Sequence, residues 1–260
     1  ETFVKGEMKK NMIIEDKSHV IIEKNNGVMT LTINWPQEHN AMDWQTHRGI
    51  AKAYRMAEND EDVKVLVVKG TDGYFNTGGK CNHNDPKEKA EYNSSLEEMT
   101  AAQIAISTPV IAAVNGHCLA GGMMIVARAT FAIALENVEF GFPEIKSGAF
   151  PMVVMSPMVD IVPKKKFMHM IISGENFSAK EAKKAGFLTE VVKSEDFDST
   201  IKKYVDMIIP IDRDVMRIGV RCYKDMCKCS EEIDRIQVGM KNLQDVWAAR
   251  NAANIKKEAR

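Results

Sequence analysis

Residues 108–122, TPVIAAVNGHCLAGG, contain the pattern that decides the fold. Residues 109–114 form a short, uninterrupted apolar run, which is typical of a strand buried on both faces of a parallel sheet. An Asn-Gly pair ends that run, and residues 120–129 then have the pattern of a helix with Gly121 and Gly122 in its first turn. The stretch therefore predicts a buried strand, a glycine-rich turn, and a helix whose amino end projects free N–H groups.

A second glycine-rich segment, YFNTGGK at residues 74–80, lies upstream of the first. It also follows an apolar run, residues 63–69, and the Gly- and Asn-rich stretch 71–84 around it predicts a loop. Glycines let a ligand approach the backbone closely. N–H groups from two such turns at adjacent strand ends can converge on one oxygen and stabilise developing negative charge. On the residues alone, purely structural turns and a phosphate site stay open beside this oxyanion interpretation.

Outside these two segments, strand and helix patterns alternate. Residues 19–24 and 28–34, separated by an Asn-Asn-Gly turn, predict a β-hairpin. Asp43 is a candidate N-cap for a helix that extends to about residue 58. From residue 152 onward the pattern is mostly helical, apart from a short strand at 188–192. The order predicts an α/β core followed by a helical region.

Composition limits the protein class. The chain has 260 residues, of which 45% are hydrophobic, and a formal net charge of -1. This is enough to bury one substantial core, and the charge balance argues against strong nucleic-acid binding. No run of about 18 apolar residues predicts a membrane span. The start of the chain is polar and lysine-rich, without a secretory signal pattern. Because the five cysteines match no disulfide framework, we expect a reducing compartment, which is the cytoplasm or an organelle matrix (mitochondrion or peroxisome in a eukaryote).

The cysteines and the common motifs exclude several chemistries. Five cysteines match no disulfide framework, and the cluster Cys222, Cys227 and Cys229 lacks a paired motif or a nearby His that would complete a metal site. Neither glycine loop has the Rossmann spacing, and the sequence contains no P-loop and no G-x-S-x-G elbow. We therefore expect free thiols, no metal and no nucleotide cofactor.

Five segments, in order, resemble the enoyl-CoA hydratase/isomerase family, the crotonases. They are WPQEHNAM (35–42), FNTGGK (75–80), TPVIAAVNGHCLAGG (108–122), FGFPEIKSGAFP (140–151) and GENFSAKEAKKAGFLTEVV (174–192). The resemblance implies a spiral of repeated β-β-α units in residues 18–195, after an N-terminal extension at 1–17. It also implies a helical trimerisation region at 196–260, with self-association as a trimer or hexamer. In that region Ile236, Met240, Leu243 and Trp247 form an apolar stripe, which must bury against the chain's own core or a neighbour.

The resemblance also assigns catalytic roles. The backbone N–H groups of Thr77 and Gly121 would form the oxyanion hole for an acyl-CoA thioester. Family hydratases usually have two carboxylates, one three residues beyond the middle glycine and one in P-E-x-x-x-G. Here the first position is Met124 and the second is Glu144, so the chain departs from the hydratase pattern. It is similar to single-glutamate 3,2-enoyl-CoA isomerases, in which one base moves a proton from C2 to C4.

Other residues are candidates for substrate binding. Gly78, Gly122, Met124, His117 and Phe150 are expected around the acyl group, and Lys80 is expected near a CoA phosphate or a substrate carboxylate. No cofactor is expected beyond the coenzyme A of the substrate.

Lys80, His83 and Asp85 keep open a different reaction on the same fold, such as thioester hydrolysis, decarboxylation or dehalogenation. A non-catalytic homologue that binds CoA or RNA is a third alternative.

Overall fold

The computed structural model describes residues 12–16 and 18–258. The predicted extension, residues 1–17, therefore lies largely outside the described residues, but it contributes one strand at 12–16. The strands are Met12–Asp16 (β1), Val20–Asn25 (β2), Val28–Ile33 (β3), Val65–Lys69 (β4), Tyr74–Asn76 (β5), Val110–Val114 (β6), His117–Leu119 (β7), Phe131–Leu135 (β8), Glu139–Gly141 (β9), Phe177–Ser178 (β10) and Glu190–Val192 (β11).

The helices are Trp44–Asn59 (α1), Pro86–Ala105 (α2), Gly122–Arg128 (α3), Lys164–Ser173 (α4), Ala179–Ala185 (α5), Phe197–Ile208 (α6), Arg213–Met226 (α7) and Glu232–Glu258 (α8). Asp43 caps α1 as expected, because its carboxylate accepts a hydrogen bond from the backbone N–H of Thr46 at 2.7 Å. Ser178 and Glu181 form a capping box at the start of α5.

Two sheets organise the described chain. The larger has the order β1-β2-β3-β4-β6-β8-β11, and the smaller has the order β10-β9-β7-β5. β3, β4, β6, β8 and β11 run parallel, and so do β5, β7 and β9. After each long strand the chain therefore crosses to the smaller sheet and returns through a helix. The predicted spiral of β-β-α units is confirmed.

The hairpin prediction is also confirmed. β2 and β3 pair antiparallel, with Asn25 opposite Val28. The two turn residues, Asn26 and Gly27, have positive φ angles of 47° and 81°. This conformation suits the right-handed twist of a two-residue hairpin, and Asn and Gly adopt it at little cost. β1 then adds to β2 as an antiparallel strand.

Two expectations on local structure were wrong. Residues 74–76 and 117–119 are short strands, β5 and β7, where a loop and a plain turn were expected. Each is too short to show a sequence period, and each exists because it pairs in the smaller sheet. Residues 152–161 form turns, and the first helix after them begins only at Lys164. Pro157 and Pro163 explain this delay, since proline has no N–H for a helix interior.

The main core lies between the two sheets and α1 to α5, with Leu31, Leu66, Phe75, Phe140 and Phe142 among its buried side chains. A second, smaller core lies on the other face of the larger sheet. There α6 packs Phe197, Tyr204 and Ile208 against β4, β6 and β8. Both faces of the central parallel strands are therefore covered, which explains their uninterrupted apolar sequences.

The last two helices pack mainly against each other. No residue of α7 is fully buried. The predicted stripe on α8 is 40% to 60% exposed at Ile236, Met240, Leu243 and Trp247. Within the described chain this stripe does not enter a core.

Candidate active site

The loop after β5 is held by two asparagines. The Asn40 side-chain amide donates to the carbonyls of Thr71 (2.9 Å) and Tyr74 (2.7 Å), on either side of the turn into β5. The Asn76 side chain donates to the Asn40 carbonyl at 2.6 Å and accepts from the Gly78 N–H at 2.9 Å. These buried bonds fix the backbone at residues 76–78 and use the Gly78 N–H, while the neighbouring Thr77 N–H stays outside the network.

The loop after β7 meets this first loop directly. A Cβ added to Gly121 would lie 3.5 Å from the α-carbon of Gly78 and 3.8 Å from the nitrogen of Gly79. Gly78 has φ +100°, which disfavours any side chain. Gly121 precedes the first residue of α3, so its N–H lies at the positive end of a short helix. The turn and loop hydrogen bonds of the described residues do not use the N–H of Thr77 or Gly121.

Both loops border a cavity of about 730 Å³. Five of the predicted residues line it together: Thr77, Gly121, Met124, Glu144 and Phe150. The cavity is also lined by Met42, His47, His83, Tyr92 and Leu96. The fold brings these positions together because the parallel strands β5, β7 and β9 all end at the same edge of the smaller sheet.

Glu144 follows β9 in a 3₁₀ turn, Pro143–Ser147. Both of its carboxyl oxygens are buried, and neither has a hydrogen-bond partner among the described residues. Burial raises the pKa of the Glu144 carboxyl, and the nearby backbone N–H of the same residue offsets part of this rise. A desolvated carboxyl group with a raised pKa has the property that a general acid/base requires.

Met124 occupies the wall of the same cavity and is 1% exposed. Its thioether cannot exchange a proton. Of the described residues that line the cavity, Glu144 is the only Asp or Glu. The site therefore combines two glycine loops with a single carboxyl group.

Not every predicted residue lies at the cavity. Gly122 packs against Asn76, where an added Cβ would come within 2.7 Å of the Asn76 carbonyl oxygen. His117 accepts a hydrogen bond at Nδ1 from the Glu139 N–H at 3.1 Å. Lys80 forms an ion pair with Glu38 at 2.8 Å. Gly78, Gly122, His117 and Lys80 are absent from the lining, so their binding roles stay predictions.

Sequence reasoning missed His47 and Tyr92, which line the cavity from α1 and α2. His47 is fully buried, and its ring contacts that of Tyr92 with centroids 4.8 Å apart. A Cβ on Gly79 would overlap the Tyr92 hydroxyl. His47 lies on the same helix face as the buried residues Ile50, Ala51 and Tyr54. Helical periodicity in the sequence could therefore have indicated that His47 is buried.

Three further features concern cysteines, metals and membranes. Cys222, Cys227 and Cys229 are free thiols. Among the described residues there is no cluster of three or more His, Cys, Asp or Glu side chains placed to bind a metal ion. None of the described helices has both the length and the apolar character needed to cross a membrane.

Fold and site together define an enzyme of the crotonase class. The model of the enoyl-CoA hydratase/isomerase family matches residues 23–252, and the chain belongs to that family.

Two relatives are named as hydratases. A probable mitochondrial enoyl-CoA hydratase of Dictyostelium discoideum is 30% identical over 188 residues, which cover 72% of this chain and 68% of that protein. The mevalonyl-coenzyme A hydratase of Aspergillus fumigatus is 29% identical over 232 residues, covering 86% of this chain and 83% of that protein. The resemblance to 3,2-isomerases in particular therefore stays a prediction.

A solved structure supports the fold. Human enoyl-coenzyme A hydratase domain-containing protein 3 superposes with a TM-score of 0.83 at 19% identity, covering 93% of this chain and 98% of that chain.

Proposed function

We propose that this enzyme moves the double bond of a 3-enoyl-CoA to the 2-position, with Glu144 as the only acid/base. One observation carries the proposal. Among the described residues that line the cavity, Glu144 is the single carboxyl group, while Met124 occupies the position of the second carboxylate in the hydratase pattern. Isomerisation needs one group to take a proton and return it, whereas hydration by the usual route needs a second group to activate water.

The proposed reaction has two proton transfers. The Glu144 carboxylate removes a proton from C2, and the electron pair moves into the thioester carbonyl to form a dienolate. The N–H groups of Thr77 and Gly121 stabilise the negative oxygen. Glu144 then returns its proton at C4, the carbonyl re-forms, and the double bond lies between C2 and C3. Atoms and charge balance without water or a cofactor.

Burial of Glu144 supports this use. A carboxylate with an ordinary pKa is a weak base for a carbon acid, and removal from water raises both its pKa and its basicity. The two carboxyl oxygens of Glu144 have no hydrogen-bond partner among the described residues, so they are available to the substrate.

Hydration of a 2-enoyl-CoA is the second candidate, because the two relatives described above are named as hydratases. In a hydratase of this kind, Glu144 would activate the water molecule without help from a second carboxylate. Hydrolysis or decarboxylation of the thioester substrate has less support. Of the three residues that would serve it, His83 lines the cavity, but Lys80 pairs with Glu38, and neither Lys80 nor Asp85 belongs to the lining.

One experiment separates these reactions. The protein is incubated with 3-hexenoyl-CoA or with 2-hexenoyl-CoA. Products are separated by liquid chromatography, which resolves the two isomers, and are followed by mass spectrometry and thiol release. Isomerisation converts the first substrate into the second at constant mass. A rapid mass gain of one water from 2-hexenoyl-CoA with no migration from 3-hexenoyl-CoA would establish a hydratase, and release of free CoA would establish a hydrolase.

We also infer self-association, because the α8 stripe is exposed on the single chain and family members commonly form trimers or hexamers. A mitochondrial matrix location is a further proposal, supported by the name of the relative from Dictyostelium discoideum. No cofactor is proposed beyond the coenzyme A moiety of the substrate.

A further inference from the structure

His47 is a buried titratable side chain that lines the cavity and takes no part in the proposed reaction. It lies in the first turns of α1, and it is 0% exposed. Its Nδ1 is 3.1 Å from the Ser95 hydroxyl oxygen. Its Nε2 is buried and has no partner among the described residues.

The hydrogen-bond network assigns the tautomer. The Ser95 hydroxyl donates its only hydrogen to the Tyr92 carbonyl at 2.9 Å. Ser95 can therefore only accept from His47, so Nδ1 carries the ring hydrogen. In the neutral ring Nε2 is then an unprotonated acceptor.

His47 is neutral at physiological pH. Desolvation lowers its pKa to about 4, although the Asp43 carboxylate and the Tyr92 carbonyl oppose this shift. Nε2 consequently presents a lone pair and no hydrogen. It can bind a donor such as a hydroxyl group, and it repels another unprotonated acceptor such as a carboxylate.

The side chains that line the cavity with His47 are mostly apolar. The cavity that His47 lines is also lined by the apolar side chains of Met42, Leu96 and Met124. A plain hydrocarbon chain would suit those three residues but would leave Nε2 buried without a donor. An unpaired buried acceptor costs about 1–3 kcal/mol, so the wall favours a ligand that supplies one hydrogen bond.

We propose that Nε2 of His47 accepts a hydrogen bond from a hydroxyl group on the acyl chain, so that the preferred ligands are hydroxylated acyl-CoA thioesters. This inference deepens the proposed function and rests on it for the identity of the ligand as an acyl-CoA. His47 would act as a specificity-determining residue, separate from the proton transfer at Glu144.

The test is a binding measurement that needs no turnover. Calorimetry compares hexanoyl-CoA with hexanoyl-CoA hydroxylated at C4, C5 or C6, all of which are saturated and cannot isomerise. For at least one hydroxyl position we expect binding about tenfold tighter or more than for hexanoyl-CoA, the factor that a satisfied buried hydrogen bond provides. Equal or weaker binding of all three hydroxylated ligands would overturn the proposal.

Variants locate the effect. His47→Leu removes the acceptor at similar volume and should abolish the preference while binding hexanoyl-CoA at least as well. His47→Gln restores an acceptor oxygen and should recover part of the preference, and it replaces the Leu variant if that one fails to fold. The exposed His169 of α4 supplies the matched control, since His169→Leu should leave the preference intact. A preference that survives in both His47 variants would assign it to another residue.

This result is independent of the reaction type. If 3-hexenoyl-CoA does not isomerise but the hydroxyl preference exists and depends on His47, the proposed function fails and the ligand inference stands. If isomerisation occurs without any hydroxyl preference, only the ligand inference fails.

Discussion

Gly78 lies directly against Gly121: a Cβ added to Gly78 would come within 3.2 Å of the Gly121 backbone nitrogen. The same added carbon would lie 2.6 Å from the Cβ of Ala120. Gly78 and Gly121 are 43 positions apart in the sequence (121 − 78), yet no side chain fits between them. The spacing of the two proposed oxyanion N–H groups is therefore set by backbone packed on backbone.

Gly78→Ala should lower kcat for isomerisation by about 10²–10³-fold, the effect of losing one oxyanion donor, because the added methyl group forces the loops apart. Steady-state kinetics with 3-hexenoyl-CoA measure this. Gly73→Ala is the matched control, since Gly73 also has a positive φ, +78°, but no atom lies within 4 Å of its added Cβ. Equal losses in both variants would show that backbone strain, and not the contact, is responsible.

Glu144→Gln should lower kcat by about 10²–10⁴-fold with a much smaller change in KM, because it removes proton transfer while keeping the shape of the side chain. The exposed Glu136 provides a control, and Glu136→Gln should retain wild-type activity. Full activity in Glu144→Gln would eliminate Glu144 as the base.

The same variant should be more stable than the wild type at neutral pH. Burial raises the pKa of Glu144 in the folded state, so the charged form is disfavoured by folding. Stability linked to this carboxyl is present below its unfolded pKa and is lost as the pH rises through the raised folded pKa. Thermal unfolding should therefore give Glu144→Gln a higher Tm at pH ~7.5, with the difference shrinking toward pH ~4, near the ordinary carboxyl pKa. A lower Tm at neutral pH would contradict this reading of the site.

Met124→Glu should raise hydration of 2-hexenoyl-CoA by about tenfold or more, because it supplies the second carboxylate that activates water. Met124→Gln has similar size and polarity but cannot transfer a proton, and it should stay at the wild-type rate. Both variants should lower the Tm, since position 124 is 1% exposed and buried polar groups are costly without partners. Fast hydration by the wild type would remove the basis of this prediction.

Met240→Glu should lower the molar mass measured by light scattering toward that of a monomer, because it places a charge in the exposed apolar stripe of α8. Gln237→Glu adds the same charge at an exposed position of α8 outside the stripe and should keep the assembly intact. A monomeric wild type, or no effect of Met240→Glu, would show that the stripe is not the interface.

Local sequence patterns correctly predicted the elements that have a hydrophobic periodicity or a characteristic turn sequence of their own. The hairpin follows from Asn26-Gly27, the start of α1 from Asp43, and the buried strand β6 from its continuous apolar run. The strands β5 and β7 were not predictable, since three-residue strands form only through pairing with each other and with β9.

Some residues of the candidate site could be predicted from the sequence, and others could not. Thr77, Gly121, Met124 and Glu144 lie in ordered motifs, so a family resemblance could place them. His47 belongs to no motif, and its relevance depends on the tautomer that Ser95 imposes and on its contact with Tyr92 from another helix. Both contacts join residues from different helices and are visible only in the folded structure. The helical period marks His47 as inward-facing but cannot show that the inside is a cavity.

The proposed oxyanion donors are main-chain groups, and this arrangement bears on how such an enzyme evolves. A point mutation can replace the side chain of Thr77 without deleting its N–H, so the device that polarises the thioester is largely protected from substitution. The side chains at 47, 124 and 144 carry no such protection. Single codon changes at these positions can alter substrate preference or reaction type while thioester activation persists, so new chemistry can arise without an inactive ancestor in between.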